Sequence, residues 1–194
     1  MSRSARCRPF ARAIVAIAAA LAAAWQPALL AQPERAADTS ETRLKAAFLY
    51  KFASYVEWPL MSTPGPGAPL VIGVMNSEPL MRELAEITVG RSVNNHPIEV
   101  RRVDHGDLLD GVQILFIGDV RGADLAPLLR HARQQPILTV TESKGAISDG
   151  SIINFTVERD RVRFEVSLPA AESSRLKLSS RLLAVASRVH REAN

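Results

Sequence analysis

The sequence predicts an α/β domain with a mostly parallel sheet flanked by helices, followed by a C-terminal β-hairpin and a closing helix. Residues 70–75 (LVIGVM) and 112–117 (VQILFI) are continuously apolar, as expected for strands buried on both faces. An amphipathic segment and another strand candidate follow each of them, which gives two successive β-α-β units. Near the C-terminus, two strand-like segments flank a short charged turn, a pattern typical of a hairpin.

The first thirty residues have the order of a secretory signal peptide. Four arginines between Arg3 and Arg12 precede an apolar run over residues 13–25, and small residues around Ala31 offer a cleavage point. An uncleaved membrane anchor is the alternative, but the run is rich in alanine and shorter than the roughly 20 apolar residues of a typical span. We predict a signal peptide at 1–31, a flexible lead-in at 32–40 and a single domain at 41–192.

Charge and cysteine content limit the possible functions of the mature chain. The full chain has 24 basic and 20 acidic residues, and four of the arginines lie in the leader, which leaves 20 of each sign. A neutral mature chain argues against nucleic acid as a partner. The only cysteine, Cys7, leaves with the leader, so neither a disulfide nor redox control through one is available afterwards. With no second span in the sequence, the predicted location is a bacterial periplasm.

The first helix of the domain is predicted from its caps and its apolar spacing. Asp38 and Glu41 have the spacing of a capping box, and Pro59 predicts the end of the helix. Apolar residues at intervals of four predict its buried stripe. That stripe consists of Leu44, Phe48, Phe52 and Val56.

The later elements follow the same reasoning in chain order. Ser77 and Pro79 predict the start of a helix that ends near Gly90, and residues 98–103 alternate as a half-exposed strand does. The turn GDVRG (118–122) leads into a helix around Leu125–Ala132. The remaining predictions are a strand at 137–140, hairpin strands at 152–157 and 162–168, and a helix at 179–192.

A search for catalytic motifs finds none. The chain lacks the G-x-S-x-G and H-E-x-x-H patterns, and its mature part has no thiol nucleophile. The acids beside His105, Asp104 and Asp107, lack a second ligand group at a telling spacing, so we interpret them as a polar turn rather than a metal site. We therefore predict no catalytic residue, no metal and no cofactor.

One possible ligand site remains open. In a parallel sheet, ligands bind beyond the carboxyl ends of the strands, where polar residues of several turns meet. An arginine there could hold an anion, although any such sheet also needs polar turns at its strand ends. A small-ligand sensor is thus the alternative function, with a site formed by Asn76, Ser77, Asp119, Arg121 and Thr141.

Three segments occur in a recognisable order: KAAFLYKFASYVEWP at 45–59, ILTVTES at 137–143 and RVRFEVSLPAAESSRLKLSSRLLAVA at 161–186. Together they resemble the YfiR family of small exported proteins of Gram-negative bacteria. The family pattern is a helix ending in aromatic-hydrophobic-Glu-Trp-Pro, a Rossmann-like core, a strand R-V-x-F-E-h-N and a helix L-x-h-S-S-x-L-L-x-h-A. Ser167 stands where the pattern has Asn, and the mature chain lacks the cysteine pairs of some relatives.

The resemblance implies a periplasmic negative regulator without catalytic activity. Such a protein binds the periplasmic domain of an inner-membrane diguanylate cyclase, or a related sensor kinase, and holds it inactive. Release, which can involve an outer-membrane lipoprotein, raises cyclic di-GMP and favours biofilm formation. The resemblance also leaves a homodimer open. On the residues themselves, we expect partner contacts at the outward face of the last hairpin strand and near the end of the first helix. These positions are Trp58, Arg163, Glu165 and Arg175.

Overall fold

A computed structural model describes residues 33–120 and 124–192, and it confirms the α/β fold class. The predicted signal peptide and Arg121 lie outside the described residues. The compact unit begins at Thr39, inside the first helix. None of the described helices is long and apolar enough to cross a membrane.

The main sheet has eight strands in the part of the chain that is described. In chain order, the strands of the protein are β1 (Val56–Glu57), β2 (Leu70–Met75), β3 (Ser92–Val93), β4 (His96–Arg102), β5 (Val112–Ile117), β6 (Leu138–Thr141), β7 (Ile153–Glu158), β8 (Arg161–Ser167), β9 (Lys177–Leu178) and β10 (Arg188–His190). The spatial order of the main sheet is β10-β8-β7-β6-β5-β2-β4-β3, and all neighbours are parallel except the β7–β8 and β3–β4 pairs. A separate antiparallel ribbon joins β1 to β9.

Helices cover both faces of the sheet, as the continuously apolar strands predict. The helices are α1 (Pro33–Phe52), α2 (Glu78–Thr88), α3 (Leu125–Ala132), α4 (Ala146–Asp149), α5 (Leu168–Ser173) and α6 (Ser180–Val185), with a 3-10 turn at Leu60–Ser62. Along β2, Ile72 and Val74 point into one hydrophobic cluster with α1 and α2, whereas Val71 and Met75 point into a second with α3. Alternating side chains of one strand therefore serve two cores.

The bounds of α1 differ from the prediction at both ends. The helix begins at Pro33, so Asp38 lies inside it rather than at its cap, and it ends at Phe52 rather than at Pro59. Two turn hydrogen bonds, Ser54 N–H to Lys51 O and Tyr55 N–H to Phe52 O, follow the helix at 2.9 Å each. The chain is then extended because β1 pairs with β9 and because a residue before proline disfavours helix.

The predicted closing helix at 179–192 is wrong beyond its first half. Helix α6 ends at Val185, and the following residues are extended and run parallel to β8. The Ser187 backbone N–H and hydroxyl both donate to the Phe164 carbonyl at 2.9 Å. Pairing with β8 satisfies backbone groups that would otherwise face solvent at the sheet edge, and this tertiary gain outweighs local helix preference.

Candidate partner-binding surface

The β1–β9 ribbon brings two of the predicted partner-binding residues to one end. Glu57 lies opposite Lys177 in the antiparallel register, so Trp58 just after β1 and Arg175 just before β9 are at the same end of the ribbon. Trp58 is half-buried against the first hydrophobic cluster, and its buried Nε1 has no hydrogen-bond partner among the described residues. Its indole therefore serves packing first.

Arg175 has an exposed side chain on an unusual backbone. Its φ is +58°, a left-handed conformation that few residues other than glycine and asparagine adopt readily. The turn that produces it follows α5, where the Arg175 N–H donates to Glu172 O at 2.9 Å. Its guanidinium Nη2 donates to Gln134 O at 3.3 Å, which fixes its direction across the surface.

The other two predicted residues lie on β8. Arg163 and Glu165 alternate with the buried Val162, Phe164 and Val166, so they face away from the first cluster. Arg163 is exposed, whereas the Glu165 carboxylate is already engaged within the chain. His190 Nε2 lies 3.1 Å from Glu165 Oε2, and Arg188 Nη1 lies 4.0 Å from its Oε1. Strand β10 thus covers the edge of β8 beside this face.

Of the alternative ligand-binding residues, the structure describes Asn76, Ser77, Asp119 and Thr141, whereas Arg121 lies outside the described residues. Asn76 and Asp119 are exposed at neighbouring strand ends, and Ser77 occupies the N-cap position of α2 without a side-chain capping bond. Thr141 is fully buried, and its hydroxyl contacts three oxygens of the next strand region. These are Ser151 Oγ at 2.9 Å, Asn154 Oδ1 at 2.8 Å and Ile153 O at 3.2 Å.

The backbones at the ends of β2 and β5 lie in direct contact. The Gly118 N–H donates to Met75 O at 2.9 Å, and a Cβ on Gly118 would lie only 2.5 Å from Asn76 O. Asn76 itself adopts a left-handed φ of +56° to make this turn. These contacts fix the position of Asn76 beside Gly118.

An ion-pair cluster at the carboxyl end of β6 is a feature that sequence reasoning missed. Lys45 Nζ, on α1, lies 2.7 Å from Glu142 Oε2 and 2.5 Å from Glu41 Oε1. Burial alone would lower the pKa of Lys45, but hydrogen bonds to the Glu142 and Glu41 carboxylates outweigh it, so the pKa is raised above its usual 10.5. The group stays protonated at neutral pH and acts as a structural clamp rather than as a base. The spacing of Glu41 and Lys45 is a visible i,i+4 signal, whereas nothing local points to Glu142.

Metal-ligating residues do not cluster in the parts of the chain that the structure describes. No group of three or more His, Cys, Asp or Glu side chains lies close enough there to hold an ion. Near His105, the Asp107 carboxylate instead accepts the Asp104 N–H at 2.9 Å, which closes the turn locally.

A comparison with known protein families assigns this chain to one of them. A model of the YfiR/HmsC-like family matches residues 42–187, which is most of the chain. The chain belongs to the YfiR/HmsC-like family. A search of curated proteins found no match. Family membership supports a general role as a periplasmic regulator of diguanylate cyclase signalling, and the family is regulatory rather than catalytic.

Proposed function

We propose that this protein represses an inner-membrane diguanylate cyclase by binding the periplasmic domain of that enzyme, and thereby controls cyclic di-GMP signalling and biofilm formation. The YfiR/HmsC-like match over residues 42–187 is the observation that supports the proposal. A related sensor kinase is the other receptor class that fits it. Release of the receptor through an outer-membrane lipoprotein belongs to the same proposal.

Repression of this kind requires differential affinity and no chemistry. The regulator must bind the inactive conformation of the receptor more tightly than the active one, because a ligand shifts an equilibrium only by that difference. A shift from 1:99 to 99:1 in favour of the inactive state needs a preference of about 10⁴-fold. An exposed, rigid protein surface can supply such a preference.

The outward face of β8 and the end of the β1–β9 ribbon are the proposed contact regions. Arg163 offers an exposed charge on the first, and Arg175 offers one on the second. Glu165 is a poorer probe of this surface. An arginine in its place would stand beside Arg188 and His190 and would loosen β10 as well as alter the face.

The decisive experiment is capture of the receptor by the mature chain. Residues 32–194 are immobilised and exposed to solubilised inner membranes, and bound proteins are identified by mass spectrometry. We expect a membrane diguanylate cyclase or sensor kinase. Arg163→Glu should reduce its recovery about tenfold if the β8 face contributes a charged contact. Arg130→Glu, an exposed charge reversal on α3, is the matched control and should leave recovery unchanged.

The possible outcomes separate function from site. Recovery that is equal for both variants would retain the function and remove Arg163 from the surface. The absence of any membrane cyclase or kinase would contradict the proposal. In cells, deletion of the protein should raise cyclic di-GMP, and an unchanged level would contradict repression.

A further inference from the structure

Two large apolar side chains stand in solvent on the loop between β1 and β2. Leu60 is 93% exposed and Met61 is 97% exposed, and they are neighbours. Single exposed apolar residues are common on protein surfaces, but an adjacent pair this exposed is a feature to explain. We refer to Leu60 and Met61 as the apolar knob.

Hydrogen bonds close the loop that carries the knob. Three hydrogen bonds converge on the Pro59 carbonyl, from the Ser62 N–H at 2.8 Å, the Thr63 N–H at 3.0 Å and the Thr63 hydroxyl at 3.2 Å. They close the 3-10 turn at Leu60–Ser62. Below this turn, Trp58 packs on the core and β1 is fastened to β9. A loop whose backbone is already closed in this way loses less backbone entropy when the knob binds.

A cleft opens directly beside the knob. It has a volume of about 310 Å³, and Met61 forms part of its wall. The buried residues Val112 and Ile137, at the entrances to β5 and β6, line it together with Pro64 and Pro136. Ser62, Thr63, Gln113 and Gln135 add polar groups to its wall. The same face therefore carries both a protrusion and a cleft with mixed apolar and polar walls.

Basic residues border this face. The Arg175 guanidinium is bonded to the carbonyl of Gln134, and the next residue, Gln135, lines the cleft. Lys177 is exposed on β9, opposite Glu57. An acidic group on a partner would meet Arg175 at the rim, where charges steer association and fix orientation.

We propose that the knob, the cleft and Arg175 form the anchor for the receptor's periplasmic domain, an inference that rests on the proposed function. The partner would supply an apolar pocket for Leu60 and Met61, a side chain with an apolar body and a polar tip for the cleft, and an acidic residue facing Arg175. A folded protein fits this combination better than a lipid surface does. A planar bilayer could take up Leu60 and Met61, but it could not also fill the cleft beside them. Buried apolar anchors of this kind carry most of the affinity of many interfaces.

The test is a titration of the purified periplasmic domain of the captured cyclase against three forms of the mature chain. We expect wild-type protein to bind, and the double variant Leu60→Ser, Met61→Ser to bind at least about tenfold more weakly. Leu108→Ser is the matched control, because Leu108 is 78% exposed on a different loop, and it should bind as wild type does. Equal melting temperatures for the three proteins would establish that folding is unchanged.

A further variant tests the contribution of Arg175 at the rim of the cleft. Asparagine tolerates the left-handed backbone at this position, so Arg175→Asn should fold normally. It should weaken binding several-fold and reduce the salt dependence of binding.

If the double variant binds like wild type, the anchor is wrong while the proposed function stands. If the wild-type protein binds no cyclase domain, the proposed function falls and the anchor with it. Knob-dependent flotation with vesicles of phosphatidylethanolamine and phosphatidylglycerol, without domain binding, would reassign the knob to the membrane.

Discussion

At the scale of single residues, Lys45 connects α1 to the end of β6 through a half-enclosed charge cluster. Replacing it by methionine would leave the Glu41 and Glu142 carboxylates without their shared cation. We expect Lys45→Met to lower the free energy of unfolding by about 1–3 kcal/mol, less than for a fully buried pair because solvent reaches both carboxylates. Urea denaturation at neutral pH measures this. Arg43→Met, which removes an exposed pair with Glu83, is the control and should cost less than about 1 kcal/mol.

The same group predicts how stability depends on pH. The pKa of Lys45 is higher in the folded protein than its usual 10.5, so the folded state holds this proton more tightly. The contribution is therefore complete below the unfolded pKa and is lost as pH rises through the folded one. The difference in unfolding free energy between wild type and Lys45→Met should be constant from about pH 7 to about pH 10 and should shrink above that. A difference that already shrinks between about pH 7 and about pH 9 would contradict the assignment.

Gly118 is a residue whose missing side chain matters. An alanine Cβ there would lie 2.5 Å from the backbone oxygen of Asn76, which cannot move without shifting the end of β2. We expect Gly118→Ala to cost about 1–3 kcal/mol, the range of overpacked sites. Gly65→Ala is the comparison, because a Cβ at that position would meet no atom within 4 Å, and it should be neutral or slightly stabilising. Equal melting temperatures for both variants would contradict this packing.

At the scale of elements, two leucines of α1 distinguish the observed buried stripe from the predicted one. The predicted stripe includes Leu44, which is 43% exposed, whereas Leu49 is fully buried beside Phe52. We expect Leu49→Ala to lower stability by about 2–5 kcal/mol and Leu44→Ala by less than about 1 kcal/mol. Thermal or urea unfolding of the two variants measures the difference. A larger cost at Leu44 would support the four-residue spacing of the sequence prediction instead.

The sequence predicts the stripe correctly at Phe48, Phe52 and Val56, which pack in the first cluster, and wrongly at Leu44. The run KAAFLYKF contains apolar residues on more than one side, so spacing alone allows two stripes that differ by a small rotation. Contacts with distant strands decide which apolar residues of α1 are buried. Phe52 packs edge-on against Phe164 of β8 with ring centroids 5.1 Å apart, and it stacks on Phe155 of β7 at 6.0 Å. These partners are distant in the sequence, so no local window contains the information.

Elements with self-contained signals are predicted well, and those that depend on distant pairing are not. The sequence predicts strands β2 and β5 with their observed bounds. A strand that is buried on both faces is a continuous apolar run, and such a run is visible in the local sequence. Strands β1 and β10 exist because β9 and β8 offer open edges, and the sequence predicts helix at both places. Both failures are cases of tertiary pairing overriding local propensity.

At the scale of the whole molecule, the candidate surface follows from these distant pairings. The sequence indicates Trp58 and Arg175 separately, but the β1–β9 ribbon is what sets them at one end. The exposure of Leu60 and Met61 cannot be read from the sequence, since a loop rich in proline and glycine gives no indication of which side chains are covered. The central strands of the sheet follow from apolar runs in the sequence. The candidate surface depends instead on how the edges of the sheet are completed.

Maturation should change the charge of the whole molecule. If residues 1–31 are a signal peptide, a Gram-negative host should yield a periplasmic protein that begins at Gln32. Four arginines would be lost and no acids, so the product would carry 20 charges of each sign and focus near neutrality instead of at the full-chain value of about 9.7. N-terminal sequencing measures the new N-terminus, and isoelectric focusing measures the change of charge.

A variant at the cleavage site tests the same prediction. Ala31→Arg should block cleavage and keep the basic precursor with the membrane, since the cleavage site requires small residues. A wild-type product that keeps its basic leader in the membrane fraction would instead establish an anchored protein.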